Sequence, residues 1–107
     1  MDTPSPASSD QVIVRIERDF ESIVPGFLAN RKKDIHTLHC ALAEKDFRTI
    51  QLLGHRMKGD GGGYGFDRIS EIGGVMELAA QRQDYAASEQ HIKQLKTFLA
   101  CVQVEYV

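Results

Sequence analysis

The stretch His55–Gly65, with the sequence HRMKGDGGGYG, decides how the rest of the chain is interpreted. It places a lysine one helical turn after a histidine and follows both with a segment that has almost no side chains. Five of the seven residues 59–65 are glycine. Because each glycine inside a helix costs roughly 1 kcal/mol relative to alanine, we expect these glycines to serve something other than helix stability.

The glycines do not form a nucleotide-binding motif. A P-loop needs GxxxxGK[ST] after a strand, whereas Lys58 precedes the glycines and the pattern before it is helical. A dinucleotide GxGxxG also fails, because Tyr64 or Phe66 stands where its last glycine should be.

Apolar residues at spacings of three and four predict the helices on either side of this stretch. A long helix is expected from about Pro25 to Glu44, and the next begins after an N-cap at Asp46. A further helix is expected from Phe66 or Asp67, and the last follows an N-cap at Asp84 with Tyr85 facing inward.

The N-terminal segment is less clearly patterned. A short helix is predicted at Glu17–Ile23, while residues 11–16 are left open because β-branched residues fit an extended segment equally well. No segment alternates clearly enough to require a sheet. The predicted fold class is therefore all-α, an antiparallel up-and-down four-helix bundle with a short additional N-terminal helix.

Length and charge limit the possible classes of protein. A chain of 107 residues suits one domain, assigned to residues 11–107, after a tail at residues 1–10 that we expect to be disordered. The net charge of −2 and the absence of a basic cluster argue against nucleic acid. The sequence offers neither a membrane span nor a signal peptide, so we expect a cytoplasmic protein. We also expect a monomer. Cys40 and Cys101 are interpreted as small core residues.

On a helical wheel, His55 lies on the flank of its helix, beside water. Its neighbours there are Gln51, Leu52, Lys58, Gly59 and Gly62. Histidine can act as an uncharged nucleophile near neutral pH, and a lysine at i+3 can neutralise the oxygens of a transferred phosphoryl group. A solvated histidine beside a glycine-rich turn is the plainer alternative.

The stretch closely resembles the signature of histidine-containing phosphotransfer (HPt) domains, His-x-[Leu/Met]-Lys-Gly-[Ser]-x-x-x-[hydrophobic]-Gly. The similarity extends from about Phe20 to Val102. It includes the Pro25-Gly-Phe-Leu helix start, the Ala41-Leu…Asp46-Phe junction and the Met76-Glu-Leu-Ala-Ala segment. Asp60 departs from the family, which has a small neutral residue there, but on a regular helix it points away from His55.

This resemblance implies a phosphorelay carrier in two-component signal transduction. His55 is expected to accept a phosphoryl group on Nε2 and exchange it with the aspartate of response-regulator receiver domains. Lys58 is then the cation beside the phosphoryl group, Glu77 accepts a hydrogen bond from Nδ1, and Gly59 permits docking. A hybrid histidine kinase is expected as a further partner. The chain is expected to have no cofactor and no ATP-dependent kinase activity, since Mg²⁺ comes with the receiver.

Other interpretations remain open. The first is a helical adaptor that binds a signalling partner without being phosphorylated. A sensor-kinase dimerisation domain is disfavoured, because it would place an acid directly after the histidine, where this chain has Arg56. His36 and Cys40 have the spacing of a metal-binding pair, but no further ligands lie nearby, so we expect no metal site. The run Arg31–Lys33 is interpreted as a solvated helix face, and His91 as a solvated histidine.

Overall fold

The computed structural model describes residues 11–107, which form four helices and two short strands. The helices are α1 (Val24–Ala43), α2 (Phe47–Asp60), α3 (Asp67–Gln81) and α4 (Tyr85–Cys101). The strands are β1 (Val12–Ile16) and β2 (Val102–Tyr106), and short 3-10 turns lie at Arg18–Phe20 and Gly62–Tyr64. The tail predicted at residues 1–10 lies outside the described residues.

The four helices form a bundle around one apolar core, as the helical periodicity predicts. Each helix contacts the next in sequence, and α1 also contacts α4, which closes the bundle. Side chains from all four helices fill the interior without measurable exposure: Leu38, Ile50, Ile69, Ile72, Met76, Ile92 and Leu95. Burial of these groups is the main favourable contribution to folding.

The connections α1–α2 and α3–α4 have the same local structure. Each has a residue with positive φ, Lys45 at 56° and Gln83 at 54°, followed by an aspartate N-cap. Asp46 accepts a hydrogen bond from the Thr49 backbone N–H, and Asp84 accepts one from Ala87. The Thr49 hydroxyl also donates to Asp46 at 2.6 Å, and these hydrogen bonds lower the pKa of the Asp46 carboxyl below its ordinary value. Both predicted caps are confirmed.

Helices α2 and α3 touch backbone to backbone, because Gly54 and Gly73 face each other. A Cβ added at Gly73 would lie 2.7 Å from the Gly54 carbonyl oxygen and 2.7 Å from the Lys58 nitrogen. A Cβ added at Gly54 would lie 2.8 Å from the Glu77 nitrogen. Lys58, late in α2, thus lies beside Gly73, early in α3, whereas Gly54 lies beside Glu77 further along α3. The two helices therefore run antiparallel.

A two-stranded parallel sheet was not predicted. β1 pairs with β2 from Val12 opposite Val102 to Ile16 opposite Tyr106. The prediction of a helix at Glu17–Ile23 was wrong, since that segment holds only the 3-10 turn at Arg18–Phe20. The backbone groups of β1 find their partner at the opposite end of the chain, a pairing that local periodicity cannot reveal.

Three side chains differ from their predicted positions. Tyr85 is 40% exposed and does not face inward, because it is the first residue of α4 and lies at the edge of the bundle. Cys40 is exposed and Cys101 is half-buried, both as free thiols, so their interpretation as core residues was wrong. Cys40 occupies the outer face of α1, beside the buried Ala41.

Candidate functional site

His55 stands on the outer face of α2 with its imidazole side chain 71% exposed. Its Nδ1 lies 2.9 Å from Oε2 of Glu77 on α3, whose side chain is only 13% exposed. A carboxylate can only accept, so Nδ1 carries the proton in this hydrogen bond. In the neutral ring this tautomer leaves the lone pair on Nε2, where the exposed edge of the imidazole can react.

The contact between His55 and Glu77 follows from the glycine contact between their helices. His55 directly follows Gly54 in α2, and Glu77 lies one turn after Gly73 in α3. With no side chain at either glycine, the two backbones approach closely enough for a glutamate to reach an imidazole on the neighbouring helix. The contact between these two glycines was not predicted from the sequence.

Lys58 lies one turn beyond His55 and is exposed on the same side of α2. Its aliphatic stem passes over α3 at Gly74, where an added Cβ would lie 3.7 Å from the Lys58 Cδ. Gly59 is exposed, and an added Cβ there would meet nothing within 4 Å. The surface beside His55 therefore combines a cation with open space. The contact between the Lys58 stem and Gly74 was not predicted from the sequence. The pair Gly73-Gly74 within one helix is the sequence feature that could have indicated a close approach there.

The glycine-rich turn after α2 is fixed by Ser70 of α3. The Ser70 hydroxyl accepts a hydrogen bond from the Gly62 backbone N–H at 2.7 Å. A Cβ added at Gly61 would lie 2.6 Å from the Ser70 nitrogen, so the turn also touches the backbone of α3. Gly62 belongs to this 3-10 turn, because α2 ends at Asp60. The assumption that Gly62 continues the helical face of His55 was therefore wrong.

Aromatic packing holds the same turn against α1. The rings of Tyr64 and Phe27 stack with centroids 4.2 Å apart, and the Arg31 guanidinium lies 4.8 Å from the Phe27 ring centroid. Arg31 also pairs with Asp34 at 2.9 Å and is mostly buried, so the run Arg31–Lys33 is not one solvated face. Asp60 lines a cavity with Phe27 and Arg31, to which His55 does not contribute.

The remaining residues predicted to contact a partner lie on the first half of α2. Leu52 is 51% exposed, one turn before His55, and Gln51 is half-buried. Leu52 therefore leaves an apolar side chain exposed to solvent on the helix that carries His55. The structure thus brings His55, Lys58 and Glu77 together, with Leu52 and Gly59 along the same helix.

The other histidines and cysteines form no comparable site. The Cys40 sulfur lies 3.9 Å from Nε2 of His36, and Nδ1 of His91 lies 3.0 Å from the Gln94 amide oxygen. Within residues 11–107, no group of three or more His, Cys, Asp or Glu side chains is arranged to hold a metal ion. None of the helices in this part of the chain has the length and apolar character needed to span a membrane.

The chain matches a known protein family. The family model described as Hpt domain matches residues 23–104, which include all four helices and every residue of the site. No curated protein and no solved structure matched the chain.

Proposed function

Because this chain belongs to the Hpt domain family, we propose that it is a phosphorelay carrier in which His55 accepts a phosphoryl group and exchanges it with the aspartate of response-regulator receiver domains. Members of the family carry phosphoryl groups in two-component signalling and are not kinases. The observation that supports the assignment most is the hydrogen bond from an exposed imidazole to a mostly buried carboxylate, 2.9 Å from Nδ1 to Oε2.

In the proposed step, the Nε2 lone pair of His55 attacks the phosphorus of the receiver's aspartyl phosphate. The N–P bond forms as the acyl P–O bond breaks, and the electron pair of that bond returns to the receiver's carboxylate. The ring becomes cationic once Nε2 is phosphorylated while Nδ1 keeps its proton. Glu77 remains the acceptor of the hydrogen bond from the Nδ1 N–H throughout, and its negative charge offsets the new positive charge of the ring. The reverse sequence of bond changes returns the phosphoryl group.

Lys58 and the open surface have separate roles in this proposal. The Lys58 ammonium offsets negative charge on the transferred group, although its exposure means that salt screens the effect. Gln51, Leu52 and Gly59, which share α2 with His55, form the proposed surface for the receiver, and Gly62 is not assigned to it because it lies in the turn beyond the helix. We assign no resident cofactor to this chain. Phosphoryl transfer depends mostly on positioning and electrostatics, so an accessible histidine suffices if the receiver brings the Mg²⁺. A hybrid histidine kinase is the proposed donor upstream, and the carrier is proposed to act as a cytoplasmic monomer.

The test is transfer of label from a ³²P-phosphorylated receiver to the wild-type chain and to the His55→Gln variant. The wild type is expected to become labelled and His55→Gln to remain unlabelled. The matched control is His39→Gln, which alters an exposed histidine of α1 and is expected to label like the wild type. Equal labelling of wild type and His55→Gln would contradict the proposal.

A second candidate is an adaptor that binds a signalling partner without phosphorylation, supported by the exposed Leu52. This candidate predicts that a receiver binds His55→Ala as tightly as wild type, that Leu52→Asp abolishes binding, and that no label is transferred. Labelling of the wild type on His55 excludes it.

A further inference from the structure

The strand β1 has an unpaired edge. The sheet contains only β1 and β2 among residues 11–107, so one edge of β1 pairs with β2 and its other edge meets no strand. An unpaired edge presents N–H and C=O groups that another extended chain can bind. Its first residues are also apolar and accessible, with Val12 39% and Ile13 54% exposed.

A cavity of about 390 Å³ opens along this edge. Three consecutive residues of the strand, Val12, Ile13 and Val14, line it. Successive side chains of a strand point to opposite faces, so a cavity lined by three in a row extends beyond the side chains of one face and reaches the backbone of the strand or its second face. Phe98 of α4 lies across from the strand and gives the cavity an apolar wall.

A second cavity of about 390 Å³ continues the first along α4. Both are lined by Val12, Arg68 and Phe98, and the second adds Lys93. Together they form one channel, called here the β1 groove, between the free edge of β1, the start of α3 and the outer face of α4. No strand residue of β2 lines it.

The charged side chains that line the β1 groove carry a formal net charge of +1, from two cations and one anion. Its charged lining residues are Arg68, Lys93 and Asp67. Arg68 forms a salt bridge with Glu71 at 3.3 Å. Lys93 makes no salt bridge with another residue of the described part of the chain. An occupant with acidic side chains is therefore favoured where the groove passes α4.

We propose that the β1 groove binds an extended segment of a partner protein in which apolar and acidic residues alternate, and that this segment adds to the sheet as a third strand beside β1. Main-chain hydrogen bonds to the free edge supply affinity in this mode, and the alternating side chains supply specificity. The apolar side chains contact Val12 and Phe98, and an acidic side chain meets Lys93.

The β1 groove is separate from the phosphotransfer site. Its lining does not include His55, Lys58 or Glu77, and β1 precedes residues 23–104, the part matched by the family. A partner held in the groove therefore leaves His55 accessible to a receiver. This separation lets the groove be tested independently of the proposed phosphotransfer.

The test is fluorescence anisotropy with a labelled hexapeptide that alternates valine and glutamate, titrated with the full chain at low salt. We expect saturable binding and no comparable binding of a matched peptide with lysine in place of glutamate. Lys93→Glu should weaken binding by roughly fivefold, since each exposed charge pair contributes up to about 1 kcal/mol. The matched control is Lys96→Glu, which reverses an exposed charge on the same helix outside the groove.

Ile13→Asp, at an exposed position, should also weaken binding while phosphotransfer from a receiver stays at the wild-type rate. Equal affinity for the two peptides, or equal effects of Lys93→Glu and Lys96→Glu, would overturn the proposal. So would concentration-dependent dimerisation that Ile13→Asp abolishes, because a second copy of the chain would then occupy the edge. None of the binding and dimerisation outcomes depends on whether His55 is phosphorylated.

Discussion

At the scale of single residues, the unequal exposure of the hydrogen-bonded pair explains how one histidine can be both oriented and reactive. The His55 side chain is 71% exposed, so its Nε2 edge remains open to another protein, while Glu77 is 13% exposed and held against α3. A mostly buried carboxylate loses little orientational freedom when it binds the ring, because packing already restricts it. In the proposed transfer, Glu77 is thus a positioning residue, and His55 alone forms the bond to phosphorus.

We expect Glu77→Ala to slow phosphoryl transfer to His55 by about tenfold, because a hydrogen bond to a charged group contributes roughly 1.5–3 kcal/mol and water replaces part of it. Glu77→Gln keeps an acceptor oxygen and should restore part of the rate. Rapid-quench transfer from a phosphorylated receiver measures both. Glu71→Ala, which removes an exposed carboxylate from the same helix, is the control. Identical rates for Glu77→Ala and Glu77→Gln would argue against positioning through the hydrogen bond.

At the scale of elements, the glycine contact between α2 and α3 sets the geometry of the site. Gly73→Ala would place a methyl group 2.7 Å from backbone atoms of Gly54 and Lys58, so the helices must separate. We expect the free energy of unfolding to fall by about 1–3 kcal/mol, the usual cost of overpacking, and transfer to slow as Nδ1 and Glu77 move apart. Urea denaturation and transfer kinetics measure the two effects.

Gly59→Ala is the matched control, since an added Cβ there meets nothing within 4 Å. Removing a glycine from α2 should raise the free energy of unfolding by up to about 1 kcal/mol. Any loss of transfer in this variant then reports on receiver docking and not on the bundle. Equal free energies of unfolding for Gly73→Ala and Gly59→Ala would contradict the close contact between α2 and α3 at Gly73.

The cap of α2 predicts a specific pH dependence. Hydrogen bonds from the Thr49 hydroxyl and backbone N–H lower the pKa of Asp46 from its ordinary value of 3.8. The unfolded chain therefore binds this proton more readily than the folded one. The stabilisation is fully present above about pH 4 to 5 and is lost as the pH falls through the lowered pKa of the folded state.

Asparagine caps helices as well as aspartate but does not titrate. We therefore expect Asp46→Asn to lose less Tm than wild type between pH 6 and pH 2, with similar helix content at pH 6. Thermal unfolding followed by circular dichroism across this range checks the prediction. Parallel Tm curves for the two proteins would show that the Asp46 cap does not contribute to acid unfolding.

At the scale of the whole molecule, the sheet ties both ends of the described chain to the glycine-rich turn. Ile16 of β1 is only 3% exposed, and an added Cβ at Gly65 would lie 3.2 Å from its Cγ1. Gly65 has φ of 93°, a conformation that glycine adopts without strain. The strand β1 thus covers the turn that links α2 and α3. Loss of β1 is therefore expected to destabilise this turn as well as the two ends of the described chain.

We expect Ile16→Ala to lower the free energy of unfolding by about 2–4 kcal/mol, because it removes a buried side chain and leaves a cavity. Ile13→Ala, at a 54% exposed position of the same strand, should change it by less than about 0.5 kcal/mol. Urea denaturation of both variants gives the comparison. Similar stabilities for the two would mean that β1 packs only loosely on the bundle.

The sequence predicted those parts of the structure that depend on neighbours along the chain. Helix faces, the caps at Asp46 and Asp84 and the exposed flank that carries His55 all follow from spacings of three to four residues. The parallel pairing of β1 with β2 depends on residues at opposite ends of the chain, and no local pattern encodes it. The end of α2 at Asp60 was likewise missed, since it depends on contacts of the glycine turn with Ser70.

The most direct measurement is the location of the phosphoryl group after transfer from a phosphorylated receiver. Tandem mass spectrometry, together with nitrogen NMR of histidine-labelled protein, identifies both the residue and the ring atom. The result predicted is a single phosphoryl group on Nε2 of His55, with the Nδ1 proton retained beside Glu77. A phosphoryl group on Nδ1, on another residue, or on no residue of the chain would contradict the account.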